Sequence, residues 1–127
     1  MANLVQVEAD AILNASSGTA AYTAPTTPIK VALVTALGTA TAAGTEVTGG
    51  SYARQTLTMA AAAAGSASSN AALTYTGMPA CTVVGVDEYD SAATPVRRWF
   101  GSLTASKTVN AGDTLSIAIG QYTKTLS

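Results

Sequence analysis

The stretch Glu46-Val-Thr-Gly-Gly-Ser-Tyr-Ala-Arg-Gln-Thr-Leu-Thr-Met59 decides the fold class. Gly49-Gly50 can adopt positive φ at little steric cost, so it marks a turn. Tyr52, Arg54, Thr56 and Thr58 then alternate with Ala53, Gln55, Leu57 and Met59, which is the two-residue period of a strand over residues 52–59. A second stretch, Gly101-Ser-Leu-Thr-Ala-Ser-Lys-Thr-Val-Asn-Ala-Gly-Asp-Thr-Leu-Ser-Ile-Ala-Ile-Gly120, reads strand, turn at residues 110–113, strand.

Working outward, Ile29-Lys-Val-Ala-Leu-Val-Thr35 is a strand entered just after Pro28, and residues 38–50 form a long Thr/Ala/Gly loop. The five alanines at 60–64 favour helix by propensity. Their place between a strand and the turn residues 65–70 argues for an extended continuation instead. Residues 71–76 alternate as a strand, and Met78-Pro79 ends it. Cys81-Thr-Val-Val-Gly-Val86 is a nearly continuous apolar run, as expected of a strand buried on both faces. Residues 87–94 read as an acidic turn, 96–103 as the next strand, and 114–119 and 122–126 as the last two, split at Gly120. Seven or eight short strands with turn signals between them predict an all-β fold: a single antiparallel β-sandwich or jelly-roll-like domain.

The N-terminal residues are less regular. Residues 3–15 suit a short amphipathic helix with Val5, Ile12 and Leu13 on one side, ended by Asn14-Ala-Ser-Ser-Gly18. A strand starting at Asn3 competes, because Leu4-Val5-Gln6-Val7 has β character. Residues 16–27 read as loop, with Pro25 and Pro28 excluding regular structure. The expected organisation is an N-terminal arm or short helix plus loop over 1–28, and a β-sandwich over 29–127.

Composition narrows the function. The 127 residues suit one domain. Charged residues make up 10% of the chain, against a typical ~25%. A net charge of −1 with Ala, Thr, Ser and Gly filling the gap suits poorly a free monomer, so copies of the chain or a partner are expected to cover much of the surface. There is no basic field for nucleic acid. Met1-Ala-Asn-Leu-Val lacks the basic start of a signal peptide, and no run approaches the ~20 apolar residues of a membrane span. The single cysteine, Cys81, lies in an apolar run and reads as a small core residue.

Catalysis is not expected. The chain has no histidine, which removes the commonest general base and the nucleophile systems built on it. One cysteine cannot make a structural zinc site, and no cofactor or metal is expected. Asp87-Glu88-Tyr89-Asp90 groups carboxylates that calcium would accept, but the spacing is not that of an EF-hand, and a solvated turn needs no ligand. Gly49-Gly50 lacks the lysine of a phosphate-binding loop. The candidate interface residues are Tyr52, Arg54, Arg97, Arg98, Trp99 and Phe100. Arg54 shares a strand face with Tyr52 and is suited to pair with an acid such as Glu46 or Asp113. Arg97-Arg98-Trp99-Phe100 combines types enriched at binding hot spots. Consecutive strand residues face opposite ways, so Trp99 and Phe100 do not enter one core together. Arg97 and Trp99 would then share the outer face in a cation–π pair, or serve as contacts.

Two motifs, Gly49-Gly50-x-Tyr52-Ala-Arg54-Gln55 and Gly101-x-Leu103-Thr-x-Ser106-Lys107-x-Val109-x-Ala111-Gly-Asp113-Thr-Leu115, resemble those of a family of small bacteriophage and prophage structural proteins. Its members carry labels such as head-decoration, minor tail or tail-fibre-like protein. The resemblance runs from about residue 29 to the C-terminus. It departs from the family at Met78-Pro79-Ala80-Cys81, where members commonly have a tryptophan, and at Ser91-Ala-Ala-Thr-Pro95, where many have a glycine-rich turn. The resemblance implies a virion protein made in the host cytoplasm. Its first implication is a capsid decoration (cement) protein on the head surface, a homotrimer bound to the major capsid protein. The alternatives are a small tail or tail-fibre subunit contacting the host surface, or a carbohydrate-binding β module.

Overall fold

The computed structural model describes residues 1–126. The architecture is all-β with one short helix. Strand β1 spans Ala2–Leu4, and helix α1 spans Gln6–Ser16. Strands β2 (Ile29–Ala36), β3 (Thr45–Glu46), β4 (Gln55–Leu57), β5 (Ser66–Ser68) and β6 (Leu73–Tyr75) follow. The chain ends with β7 (Cys81–Tyr89), β8 (Arg97–Val109), β9 (Leu115–Ile117) and β10 (Thr123–Thr125). Eight strands form one sheet in the order β3-β2-β7-β8-β1-β10-β5, with β4 also on β2, and β6 pairs β9 in a second sheet. This is the layered sandwich expected, but the large sheet is mixed, because β1 runs parallel to β10.

The register explains the core. Val31, Glu88, Trp99 and Leu4 form one cross-strand row, and Leu33, Val86, Gly101 and Ala2 the next. Cross-strand partners point the same way, so these rows share a face. Its apolar members join Leu73 and Tyr75 of β6 and Leu115 and Ile117 of β9 in one buried cluster. β6 and β9 bury alternate residues and expose Thr74 and Ser116, the pattern of a strand wet on one side. The other face of the large sheet carries the row Ala32, Asp87, Phe100 and Asn3. Residues 31–34 are buried whichever way they point, so both faces of β2 are covered.

The N-terminal segment satisfies both competing readings. Residues 2–4 pair with β8, and the helix starts two residues later. The helix stops before Gly18, which sits at φ +72°. Of its anticipated apolar side, Val5 is buried, but Leu13 is 61% exposed. The alanine run is extended and enters a two-residue hairpin loop, Ala64-Gly65, both at positive φ, with Ala63 and Ser66 exchanging backbone hydrogen bonds.

Two expectations need correction, at residues 52–54 and in the acidic turn. Residues 52–54 are not strand; regular pairing begins only at Gln55. β3 and β4 each take one half of the same edge of β2, and the chain between them bows outward. The turn at 110–113 forms as expected, with the Asn110 N–H donated to Asp113 Oδ2, and β9 leaves it to pair with β6. The acidic turn begins later than expected, because Asp87, Glu88 and Tyr89 belong to β7.

Candidate functional site

Gly49 and Gly50 take φ of +108° and +57°, and the Ser51 N–H is donated to the Gly77 carbonyl. This turn delivers Tyr52 to the gap between β3 and β4. There the Tyr52 hydroxyl accepts the Leu33 N–H at 2.9 Å, standing in for the missing strand neighbour. The same hydroxyl donates to Glu46 Oε2 at 2.8 Å. Arg54 holds that carboxylate with two parallel bonds, Nε at 3.0 Å and a terminal nitrogen at 2.8 Å. Its guanidinium lies 3.9 Å from the centre of the Tyr89 ring. Burial raises the Glu46 carboxyl, but the Arg54 and Tyr52 hydrogen bonds outweigh it and hold it below the ordinary range. Burial also pushes the Tyr52 phenol up. Glu46, and not Asp113, is therefore the partner of Arg54.

Arg97 takes a different position from the one expected. Glu88 opposes Trp99, but Tyr89 opposes Arg97, so Arg98 is the extra residue of a bulge. The bulge breaks the two-residue period and puts Arg97 on the face of Phe100, opposite Trp99. Its guanidinium lies 5.5 Å from the Phe100 ring, which replaces the anticipated Arg97–Trp99 pair. Arg97 donates to Asp87 Oδ1 at 3.2 Å and to the Thr39 carbonyl at 2.6 Å. Asp87 also accepts the Gly44 N–H at 2.8 Å. This buried pair pins residues 38–44 over the sheet.

Arg98 bridges two buried acids, Glu8 of α1 at 2.7 Å and Asp90 at 2.9 Å. The Tyr22 hydroxyl donates to the other oxygen of Glu8. Burial first, and that carboxylate second, push the Tyr22 phenol up to about 12. Asp90 accepts the Val96 and Ala92 N–H groups and so closes the turn after β7. Burial acts to raise its carboxyl, but these bonds and Arg98 hold it below the usual range. Trp99 packs inward, with the Lys124 ammonium 5.0 Å from its ring. Lys124 also pairs with Glu88 at 2.7 Å, and the Tyr122 hydroxyl donates to the same carboxylate. Burial raises the Glu88 carboxyl despite Lys124.

The acidic cluster is thus no solvated turn. Asp87 and Glu88, neighbours on a strand, point to opposite faces, and each of the three acids has its own cation. Among the described residues, no group of three His, Cys, Asp or Glu converges to hold a metal. No described helix is long and apolar enough to cross a membrane. Cys81 is half-buried against the core, and burial pushes its thiol up. Nine of the six Lys/Arg and seven Asp/Glu side chains lie in ion pairs within the fold. The cations that the sequence offers as contacts are therefore structural ties. Arg97 finds Asp87 10 positions away and Arg98 finds Glu8 90 positions away, and Glu88 takes Lys124 from 36 positions away. What faces outward among the described residues is a nearly uncharged Ala/Thr/Ser surface with several shallow grooves, two of which carry an unpaired charge. One lies beside α1 and residues 40–43, the other between the outer half of β8 and residues 116–121.

The chain is thus a small all-β body with nine of its charged side chains tied in internal ion pairs. The sequence profile of one family matches residues 3–125, nearly the whole chain. The chain is a structural protein of the bacteriophage virion. It belongs to the family described as Podophage GP4 fiber I protein gp80. The match takes in the N-terminal strand and helix, which the resemblance seen in the sequence had left out. No curated protein matches the chain.

Proposed function

We propose that the protein is a small subunit of the phage fibre, assembled with copies of itself and serving as a structural part of the apparatus that meets the host surface. The family match over residues 3–125 carries this reading, because the family is described as a fibre protein. It favours the tail-fibre alternative over decoration of the head. The distribution of charge supports a structural role: with nine charged side chains engaged internally, a neutral exterior favours association over solubility. A homotrimer is the assembly we expect.

Immunogold labelling of intact particles tests the reading. Label on the fibres is the expected result. Label spread over the head would restore the decoration reading, with the major capsid protein as partner, and overturn this one.

A further inference from the structure

Asp10, Lys30, Lys107 and Asp113 are the charged side chains without an ion-pair partner among the described residues. Two of them stand at the grooves. The first groove is a hollow of about 440 Å³ lined by Val5, Val7, Ala40, Ala43 and Val96, with Asp10 on its α1 side. Val7 remains 54% exposed there. The second is lined by Leu103, Lys107 and Ile117. The chain leaves that groove through Ile119, which at 65% is the most exposed large apolar side chain described.

The two places are separate surfaces. Arg97 borders the first and Leu103 the second, and six residues of strand span roughly 20 Å. One surface is an apolar hollow with an acid beside it. The other is an apolar projection with a base beside it. Nothing inside the fold uses either charge for an ion pair.

We propose that these two surfaces bind each other between copies of the chain: Ile119 of one copy enters the hollow of Val5, Val7 and Val96 on the next, and Lys107 pairs with Asp10. This deepens the fibre-subunit reading and rests on it for its purpose, though not for its geometry. The apolar contact supplies buried area. The charge pair, at the rim, sets orientation and register more than affinity. Because different patches meet, the contact is heterologous. Such a contact closes into a ring, of which a trimer is one, or continues as a filament; it does not make an isologous dimer.

Sedimentation velocity on the full chain tests this directly. The wild type is expected to form a ring-sized or longer assembly. Asp10→Lys or Lys107→Asp alone places like charges together and is expected to weaken association by about tenfold or more. The two reversals combined in one chain are expected to restore it. Ile119→Asp is expected to abolish it, with the circular dichroism spectrum and thermal midpoint of the wild type retained, since residue 119 lies on the surface. A wild type that stays monomeric in concentrated solution, a two-fold dimer, single reversals without effect, or a double reversal no better than the singles would each overturn the proposal. Particle labelling reads location whatever the oligomeric state, so failure of this contact and failure of the fibre reading are distinguishable.

Discussion

Asp87→Ala should be the most damaging single substitution among the internal ion pairs. Asp87 is 1% exposed and Arg97 9%, so the pair is largely shielded from water. Removing the carboxylate leaves the Arg97 guanidinium with the Thr39 carbonyl as its remaining hydrogen-bond partner, and strips the Gly44 N–H of its acceptor. Breaking a buried pair by deleting one member costs about 3–5 kcal/mol. A domain of this size holds about 5–15 kcal/mol in total. At about 3–5 °C per kcal/mol for this chain length, the thermal midpoint should fall by about 10–20 °C. Melts followed by circular dichroism, with urea titrations to check that the slope is unchanged, measure the loss. Residues 38–44 should also become cleavable by protease, because the pair that pins them is gone. Asp87→Leu combined with Arg97→Met removes both charges and should recover most of the stability, since an apolar pair of similar volume avoids the desolvation cost. A single-variant loss below about 1 kcal/mol, or a double variant as unstable as the single, would refute the assignment of Asp87 and Arg97 as a buried structural tie.

Two further predictions concern the turn and the titrating groups. Gly50→Ala should destabilise by about 2 kcal/mol or more, because a Cβ there meets the Gly77 carbonyl at 2.5 Å on top of a φ of +57°. Gly18→Ala, at φ +72° but in open space, should cost only about 1 kcal/mol; equal losses in urea unfolding would contradict the steric argument. The pH response should split by sign. Asp90 sits below its ordinary range, so its contribution is full above the unfolded value of about 4 and is lost as pH falls through the folded one. The stability advantage of wild type over Asp90→Asn should therefore shrink in acid. Glu88 is raised, so its contribution is full in acid and is lost as pH rises through its folded value. The balance between wild type and Glu88→Gln should shift toward wild type on acidification, and urea titrations showing both variants moving the same way would contradict these shifts.

The strands were legible where local composition alone determined them. Residues 29–36 follow a proline and carry β-branched residues, and the structure makes them a strand whose residues 31–34 are buried on both faces. Residues 52–59 show that alternation is not sufficient. The pattern is there, but the edge of β2 is shared between two short strands, and Tyr52 reaches it with a hydroxyl instead of a backbone group. The bulge at Arg98 is likewise invisible in sequence, since it depends on which residue of β7 stands opposite. The acids at 87–90 looked solvated although Arg97 meets Asp87 across 10 positions and Arg98 meets Asp90 across 8, because the pairing depends on the fold of β7 and β8; Glu88 alone of the three finds its cation far along the chain, Lys124 across 36 positions. The candidate interface residues Tyr52, Arg54 and the 97–100 run all make side-chain contacts within the described fold. Their observed contacts lie within the fold, which local sequence cannot distinguish from contacts with a partner.

Quantitative mass spectrometry of purified particles, with this protein counted against the major capsid protein, tests the central claim most directly. A fibre subunit should be present in the particle at a small fraction of the capsid protein's copy number. A ratio near one, or a simple fraction such as one third, would place the protein on the shell and contradict the account, as would its absence from the particle.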